Sequence, residues 1–339
     1  MYVENPTPLV AEVFCTTDAR GAEVAVVVVK GTWADAAGGL RLADAQRPVQ
    51  RAPEYRGEPG ASSLRRDTDL VPEKPGTDCL LAGHAWGDGA RERPVRFAVV
   101  AADGGVRAEA RAVVLGPRQW QTTLGLASAI GPLPFDRAEL VWERAAGGRD
   151  DTPDDPADRD ACAENPVGVG FRARRSRRPV DGAPLPQIVR EGEREDGPDA
   201  RGRPVGFGPV APGWEPRLGL AGTYDAAWRR TRAPLAPADF DARHFQSAPP
   251  ELVATPHLAG GETVEVEGCH PQRWRVPLPA LRVRAGLVAG PAPEPADAVL
   301  DTLRVDADDR SVELVWRAQF GVHGRVDALR GVVVRVDGL

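Results

Sequence analysis

Lysine is almost missing from this chain. Lys30 and Lys74 are the two there are, and every other basic residue is arginine. Both side chains solubilise a surface, so arginine-rich codon usage is the plain explanation. Paired metal or redox cysteines are also missing. Cys15, Cys79, Cys162 and Cys269 lie far apart and none forms a CxxC, which excludes a zinc knuckle. The five histidines, His84, His244, His257, His270 and His323, show neither HExxH nor HxH spacing. There is no GxSxG elbow and no GxxxxGK[ST] phosphate loop. The longest apolar run, Val24 to Val29, is far too short to span a bilayer. No charged N-terminal region leads into an apolar stretch, so the expectation is a reducing, cytoplasmic compartment, free thiols and no membrane insertion. The net charge of −6 offers no general attraction to nucleic acid or anionic lipid.

Turn formers are abundant. The 33 prolines and 37 glycines make up about a fifth of the 339 residues, which disfavours long helices. The expected fold is mainly β: antiparallel, sandwich-like sheets, a long ordered loop-rich central segment and few short helices. Val24 to Lys30 is a β-branched run suited to a strand buried on both faces. Gly38-Gly39 marks a hairpin into Leu40 to Leu42. Cys79 to Ala85 reads as one strand. Val95 to Ala101 and Val106 to Leu115 flank an Asp103-Gly104-Gly105 turn, and Leu140 to Glu143 closes an N-terminal β lobe of residues 1–145. Residues 261–339 return to β, with strands at Glu262 to Glu267, Trp274 to Val276, Ala280 to Ala285, Leu300 to Val305, Ser311 to Phe320 and Leu329 to Val336. The last two join near Gly321 to Gly324. No fixed-period repeat is visible.

Residues 146–260 differ. Asp150 to Asp160 is acidic, broken by proline and expected to be mobile. The basic run Arg172 to Arg178 is expected to lie beside it as a solvated loop. Asp181 to Asp199 reads as weakly structured. From Gly206 to Phe245 the chain carries Phe207, Trp214, Tyr224, Trp228, Phe240 and Phe245 with almost no periodicity. That is too aromatic for disorder and reads as a packed, ordered loop region. Helix is expected in short pieces, notably Asp225 to Arg232 with Asp225 as N-cap.

Chemistry is thin. Cys79 has His84 five residues on, but five extended residues set them on opposite faces, roughly 15 Å apart at about 3.3 Å per residue. Asp225 and Glu262 are the best placed carboxylates. A glycosidase would bring such a pair within roughly 5 to 10 Å, whereas the simpler reading has Asp225 capping a helix and Glu262 opening a strand. In Asp67 to Asp78, Asp69 and Asp78 are expected to accept backbone N–H bonds in an Asx-type turn, with Lys74 buried against one of them. Gly168-Val169-Gly170-Phe171 looks like half a dinucleotide fingerprint but follows a proline turn, so its glycines read as sites of positive φ or close approach. No cofactor and no catalytic set is expected. Trp214, Arg217, Tyr224 and Trp228 are the candidate partner-binding anchors, beside the alternative that the aromatics pin the loop to its own sheets.

These pieces occur in a specific order: VVKGTW at Val28 to Trp33, RGEPGASSLRRDTDLVPEKPGTDCLLAGHA from Arg56 to Ala85, GPRQW at Gly116 to Trp120, AAGG at Ala145 to Gly148 and NPVGVGF at Asn165 to Phe171. PLPQI follows at Pro184 to Ile188, GFGPVAPGWEPRLGLAGTYDAAW at Gly206 to Trp228, DFDARHFQSAPPEL from Asp239 and GGE at Gly260 to Glu262, then LDTLRVD and ELVWRA near the end. In this the chain resembles the bacterial proteins known as domain of unknown function 2169. Two positions depart from the pattern: Ala146 stands where an aromatic is expected, and Gln187 where asparagine is. The resemblance implies an adaptor or chaperone encoded near type VI secretion components, with an effector toxin and a secretion spike protein as partners. It implies no active site. A carbohydrate- or peptidoglycan-directed hydrolase using Asp225 and Glu262, and a structural component of the secretion apparatus, are the alternatives.

Overall fold

The computed structural model describes residues 2–193, 197–288, 295–322 and 326–339. His323 and Gly324 therefore lie outside the described residues. The fold is mainly β and largely antiparallel, as composition and turn content require. The longest helix among the described residues is Ala226–Thr231, and the other helical pieces are single 3-10 turns.

Three sheets form the body. The largest has seven strands, in the order Val253–Ala254, Thr77–Ala82, Val299–Asp306, Ser311–Gly321, Glu23–Ala36 and Val10–Thr17, with Gly39–Leu42 paired to the far end of Glu23–Ala36. One of its pairings, Thr77–Ala82 with Val299–Asp306, is parallel. A five-stranded antiparallel sheet runs Ile188–Val189, Val106–Leu115, Glu92–Val100, Thr263–Glu267, Trp274–Pro277. A four-stranded sheet runs Tyr2–Glu4, Gly331–Asp337, Arg282–Val288, Ala296–Asp297. Strands from the first and last parts of the chain thus share sheets. The strands Ser311–Gly321 and Gly331–Asp337, consecutive in sequence, sit in different sheets.

Glu23–Ala36 shows why a valine run belongs inside. Val27 and Val29 enter the main core with Phe97, Leu303 and Leu314, while Val24, Val26 and Val28 enter a second cluster with Val49 and Val315. Period-2 alternation with both faces covered demands an apolar residue at every step. Each buried valine contributes about 1.5–3 kcal/mol relative to exposure. The main core is continuous with the five-stranded sheet through Val95, Phe97, Val99, Val264 and Trp274. On the other face of that sheet Arg96 bridges Glu109 (2.6 Å) and Glu265 (2.7 Å) across neighbouring strands.

Several expectations are corrected. Cys79 to Ala85 is not one strand. Gly83, at φ +133°, breaks it, and His84–Trp86 leaves to pair with Arg137–Glu139. Leu140 to Glu143 is not a strand but leads into a 3-10 turn at Trp142–Arg144. The acidic run is a folded element: Arg149–Asp150 pairs with Asp160–Ala161, and Asp150 is fully buried. It folds because it has partners. Asp150 accepts from Thr152, the Ala173 N–H and Ser176, and Arg175, Arg177 and Arg178 pair with Asp158, Asp154 and Asp150. The basic run does lie beside the acidic one. Burial works against the Asp150 carboxylate, but these hydrogen bonds outweigh it and hold its pKa well below the usual range.

Candidate docking surface

The aromatic stretch divides in two. Trp214 is 4% exposed and stands edge-on to Trp142, with ring centres 6.1 Å apart, in a small core with Leu64, Val210 and Ala211. Arg217, three residues on, is equally buried. Its guanidinium donates to Asp67 (2.8 Å), the Val210 carbonyl (2.6 Å) and the His244 carbonyl (2.9 Å). These two side chains fasten the loop to the body.

Tyr224 and Trp228 face outward. Asp225 is the N-cap of Ala226–Thr231, its Oδ1 accepting the Trp228 N–H at 2.7 Å, as the sequence indicates. The cap sets Trp228 beside Tyr224, with rings 4.7 Å apart and tilted 70°. Trp228 is half-buried and donates Nε1–H to the Leu235 carbonyl, while Tyr224 is 55% exposed. So the four proposed anchors are not one cluster: two are interior, and two form an outward-facing pair of an exposed Tyr224 and a half-buried Trp228.

Lys74 and Asp78 belong to a buried polar network. Lys74 donates to Asp78 (2.8 Å) and to the Thr302 hydroxyl (2.8 Å). Asp78, fully buried, also accepts the Ser247 and Ala248 N–H groups. It therefore accepts backbone N–H bonds, but from residues far along the chain rather than within an Asx turn. Asp69 likewise accepts the Gln50 N–H and pairs with Lys30 (3.0 Å), which reaches Glu313 at 3.1 Å. Arg66 grips Glu313 with two bonds of 2.8 and 2.7 Å. Arg317 holds Asp301 and the Val71 and Asp69 carbonyls. Burial disfavours the Glu313 carboxylate, yet the Arg66 bonds and the Lys30 charge outweigh it and bring its pKa down to about 2. Burial would lower the Lys74 pKa, but the Asp78 and Asp301 charges raise it. Both lysines of the chain are thus interior, at 2% and 7% exposure. Sequence reasoning put Lys74 against an aspartate but missed Lys30. The signal was there: Lys30 ends a valine run, and Glu313 and Arg317 interrupt SVELVWRA.

NPVGVGF forms a tight crossing rather than a nucleotide turn. Val169–Gly170 pairs parallel with Ala146–Gly147, and no helix follows. Buried Asn165 donates to the Trp142 and Ala146 carbonyls, both at 2.9 Å. A Cβ on Gly168 would sit 2.4 Å from Asn165 Nδ2 and 2.6 Å from the Ala145 carbonyl, so close approach requires glycine there. Gly170 has φ +93°.

Glu262 is 6% exposed and accepts the Ala259 and Gly260 N–H groups, each at 2.9 Å. The thiol of Cys79 is buried, and burial followed by the Asp78 charge pushes its pKa far up. His84 points elsewhere and pairs with Asp308 at 2.6 Å. Among the described residues no group of three or more His, Cys, Asp and Glu is placed to hold a metal ion, and no helix is long and apolar enough to cross a membrane.

An open groove of about 870 Å³ lies in the central segment, lined by Trp120, Ala146, Cys162, Phe171, Glu193 and Arg201 among others. Arg201 lies over the Phe171 ring at 4.9 Å. Ala146, the position that departs from the family pattern, is part of its wall. Gln187, the other departure, uses its longer side chain to accept from Arg144 at 2.6 Å.

A family model described as an uncharacterized protein conserved in bacteria (DUF2169) matches residues 20–317. The chain belongs to this family. The match takes in the lysine network, the Asn165 crossing, the groove and both halves of the aromatic stretch. No curated protein and no solved structure matches the chain.

Proposed function

We propose that this DUF2169 protein is a non-enzymatic adaptor and chaperone, which binds a type VI secretion effector, keeps it soluble and helps load it onto the secretion spike. The reading rests on the motif series for its biological setting. One structural observation carries it further: Arg217, Ser247 and Ala248 fasten the central segment to Asp67 and Asp78 of the body, yet the segment leaves a groove of about 870 Å³ and the outward-facing Tyr224–Trp228 pair. A pre-organised surface with a few aromatic anchors is what protein recognition uses. Asp225 and Glu262 each cap a backbone turn and neither lines the groove, so these two residues lend no support to the hydrolase alternative.

Co-expression with the product of a neighbouring toxin gene tests the proposal. The toxin is expected to accumulate in soluble form only with this protein present. Ala146→Trp, which fills the groove, and Tyr224→Ala with Trp228→Ala, which strips the outward-facing pair, separate the two candidate contact sites. A loss of about tenfold or more in affinity marks the one in use. Equal soluble toxin with and without the protein overturns the chaperone reading.

A further inference from the structure

The strands Gln119–Thr123 and Leu126–Ile130 form a hairpin that stands apart from the three large sheets. Thr123 lies opposite Leu126, Gln121 opposite Ser128 and Gln119 opposite Ile130. Leu124 and Gly125 make the two-residue turn, both at positive φ (52° and 81°), as a type I′ hairpin requires. One edge is covered. Trp120 exchanges backbone bonds with Gly182 and Ala183, both 2.8 Å, and the Thr122 N–H donates to Asp181 at 2.7 Å. The other edge, Leu126–Ile130, makes no backbone bond outside the hairpin among the described residues. Every residue from Gln121 to Ile130 is exposed, Leu124 at 99% and Leu126 at 77%.

Natural edge strands are usually blunted with lysine, proline, a bulge or an inward charge. This one has none of these. From Gln119 to Phe135 there is no charged residue, in a chain that is 27% charged. The two-residue turn fixes which backbone groups face outward. Thr123/Leu126, Gln121/Ser128 and Gln119/Ile130 are the hydrogen-bonded pairs, so Ala127 and Ala129 turn their N–H and C=O groups to the free edge.

We propose that this edge pairs, antiparallel, with the same edge of a second copy of the chain, about a two-fold axis at Ser128. The strand reads Leu-Ala-Ser-Ala-Ile, nearly symmetric in size about its centre. On that axis Ala127 of each copy meets Ala129 of the other and exchanges both backbone bonds, giving four across the junction, while Leu126 falls opposite Ile130. A two-fold contact must be self-complementary in this way. Charge selects the same place. Two copies of a chain with net charge −6 repel, and the uncharged hairpin lets edges meet with no like charges opposed. The inference is independent of effector binding.

Five residues a side is far below the roughly 20–30 of a standard interface, so association is weak and concentration-dependent. Sedimentation equilibrium of the full chain, from about 1 μM to about 1 mM, is expected to pass from 36.2 kDa toward twice that mass. Ala127→Glu with Ala129→Glu sets like charges opposite at both pairs and is expected to give a monomer. Ala127→Lys with Ala129→Glu sets opposite charges at the same pairs and is expected to keep the dimer. A monomeric wild type at every concentration overturns the proposal, including the case in which this edge takes up a strand of the effector instead. So does any result in which the two double variants behave alike.

Discussion

The lysine network and the 119–130 hairpin reverse the usual arrangement of a protein. One buries charge: Lys30, Lys74, Asp69, Asp78, Asp301, Glu313 and Arg317 are all under 9% exposed. The other exposes an uncharged, partly apolar strand. Each inversion costs free energy unless partners are present. The network has its partners within the chain, donor to acceptor. The hairpin has half of them, since one edge is covered and the other open. The satisfied network supports the fold, whereas the open edge leaves backbone groups free for a contact. Both lysines of the chain lie on the network's side of the contrast. An ammonium fits a compact site among oxygens, whereas arginine serves everywhere a fork or a solvated charge suffices.

The most severe way to break the contrast is to leave a buried charge alone. Asp78→Ala removes the partner of Lys74 and the acceptor for Ser247 and Ala248. It is expected to cost about 3–5 kcal/mol, read as a fall in the urea midpoint. Adding Lys74→Met should recover part of that loss, because no unpaired ammonium remains. A double variant as unstable as the sum of the singles would mean that the two residues are not coupled. Amine-reactive labelling reads the same burial directly: Lys30 and Lys74 are expected to be modified only after unfolding, so rapid labelling of the native chain would contradict their interior position.

Next in size is a pH effect. The folded pKa of Glu313, about 2, lies below its ordinary 4.5. A depressed carboxylate contributes stability above the unfolded value and loses it as pH falls through the folded one. Its share, about 3 kcal/mol at about 1.36 kcal/mol per unit, is therefore full above pH 4.5 and gone near pH 2. Glu313→Gln is expected to be less stable at pH 7 and to show a shallower decline between pH 4.5 and 2.5. An unchanged slope would remove Glu313 from the acid-sensitive groups.

Much of this architecture is legible before any coordinates. The valine run, the Gly38-Gly39 and Asp103-Gly104-Gly105 turns and the alternation in ETVEVE all encode local geometry, and local geometry is what period and turn chemistry report. Long-range pairing is not local. Nothing near Thr77 says that it lies parallel to residues more than two hundred positions on, and nothing near Asp150 says that Ser176 and Arg178 will order it. The same limit splits the aromatic stretch. Trp214 and Trp228 look alike in sequence. Trp142 and Asp67, both distant, draw in Trp214 and Arg217, while Asp225 caps a helix that leaves Trp228 outside. The hairpin escaped notice because attention to charge and aromatics passes over a stretch defined by having no charge.

The smallest expected effect is the sharpest test of the contrast. Leu124→Lys and Leu126→Lys alter side chains that are 99% and 77% exposed. Removing so little buried surface should leave the unfolding free energy within about 0.5 kcal/mol of wild type. Association should respond differently. Leu126 sits opposite Ile130 across the proposed axis, so a lysine there replaces a leucine–isoleucine contact with an ammonium against isoleucine, whereas Leu124 at the tip stays outside the junction. Unaltered stability with weakened dimerisation by Leu126→Lys alone would show that this element serves a contact rather than the fold. A loss above about 1 kcal/mol from either substitution would instead place the hairpin among the fold's own supports, and the apolar exposure would then need a different explanation.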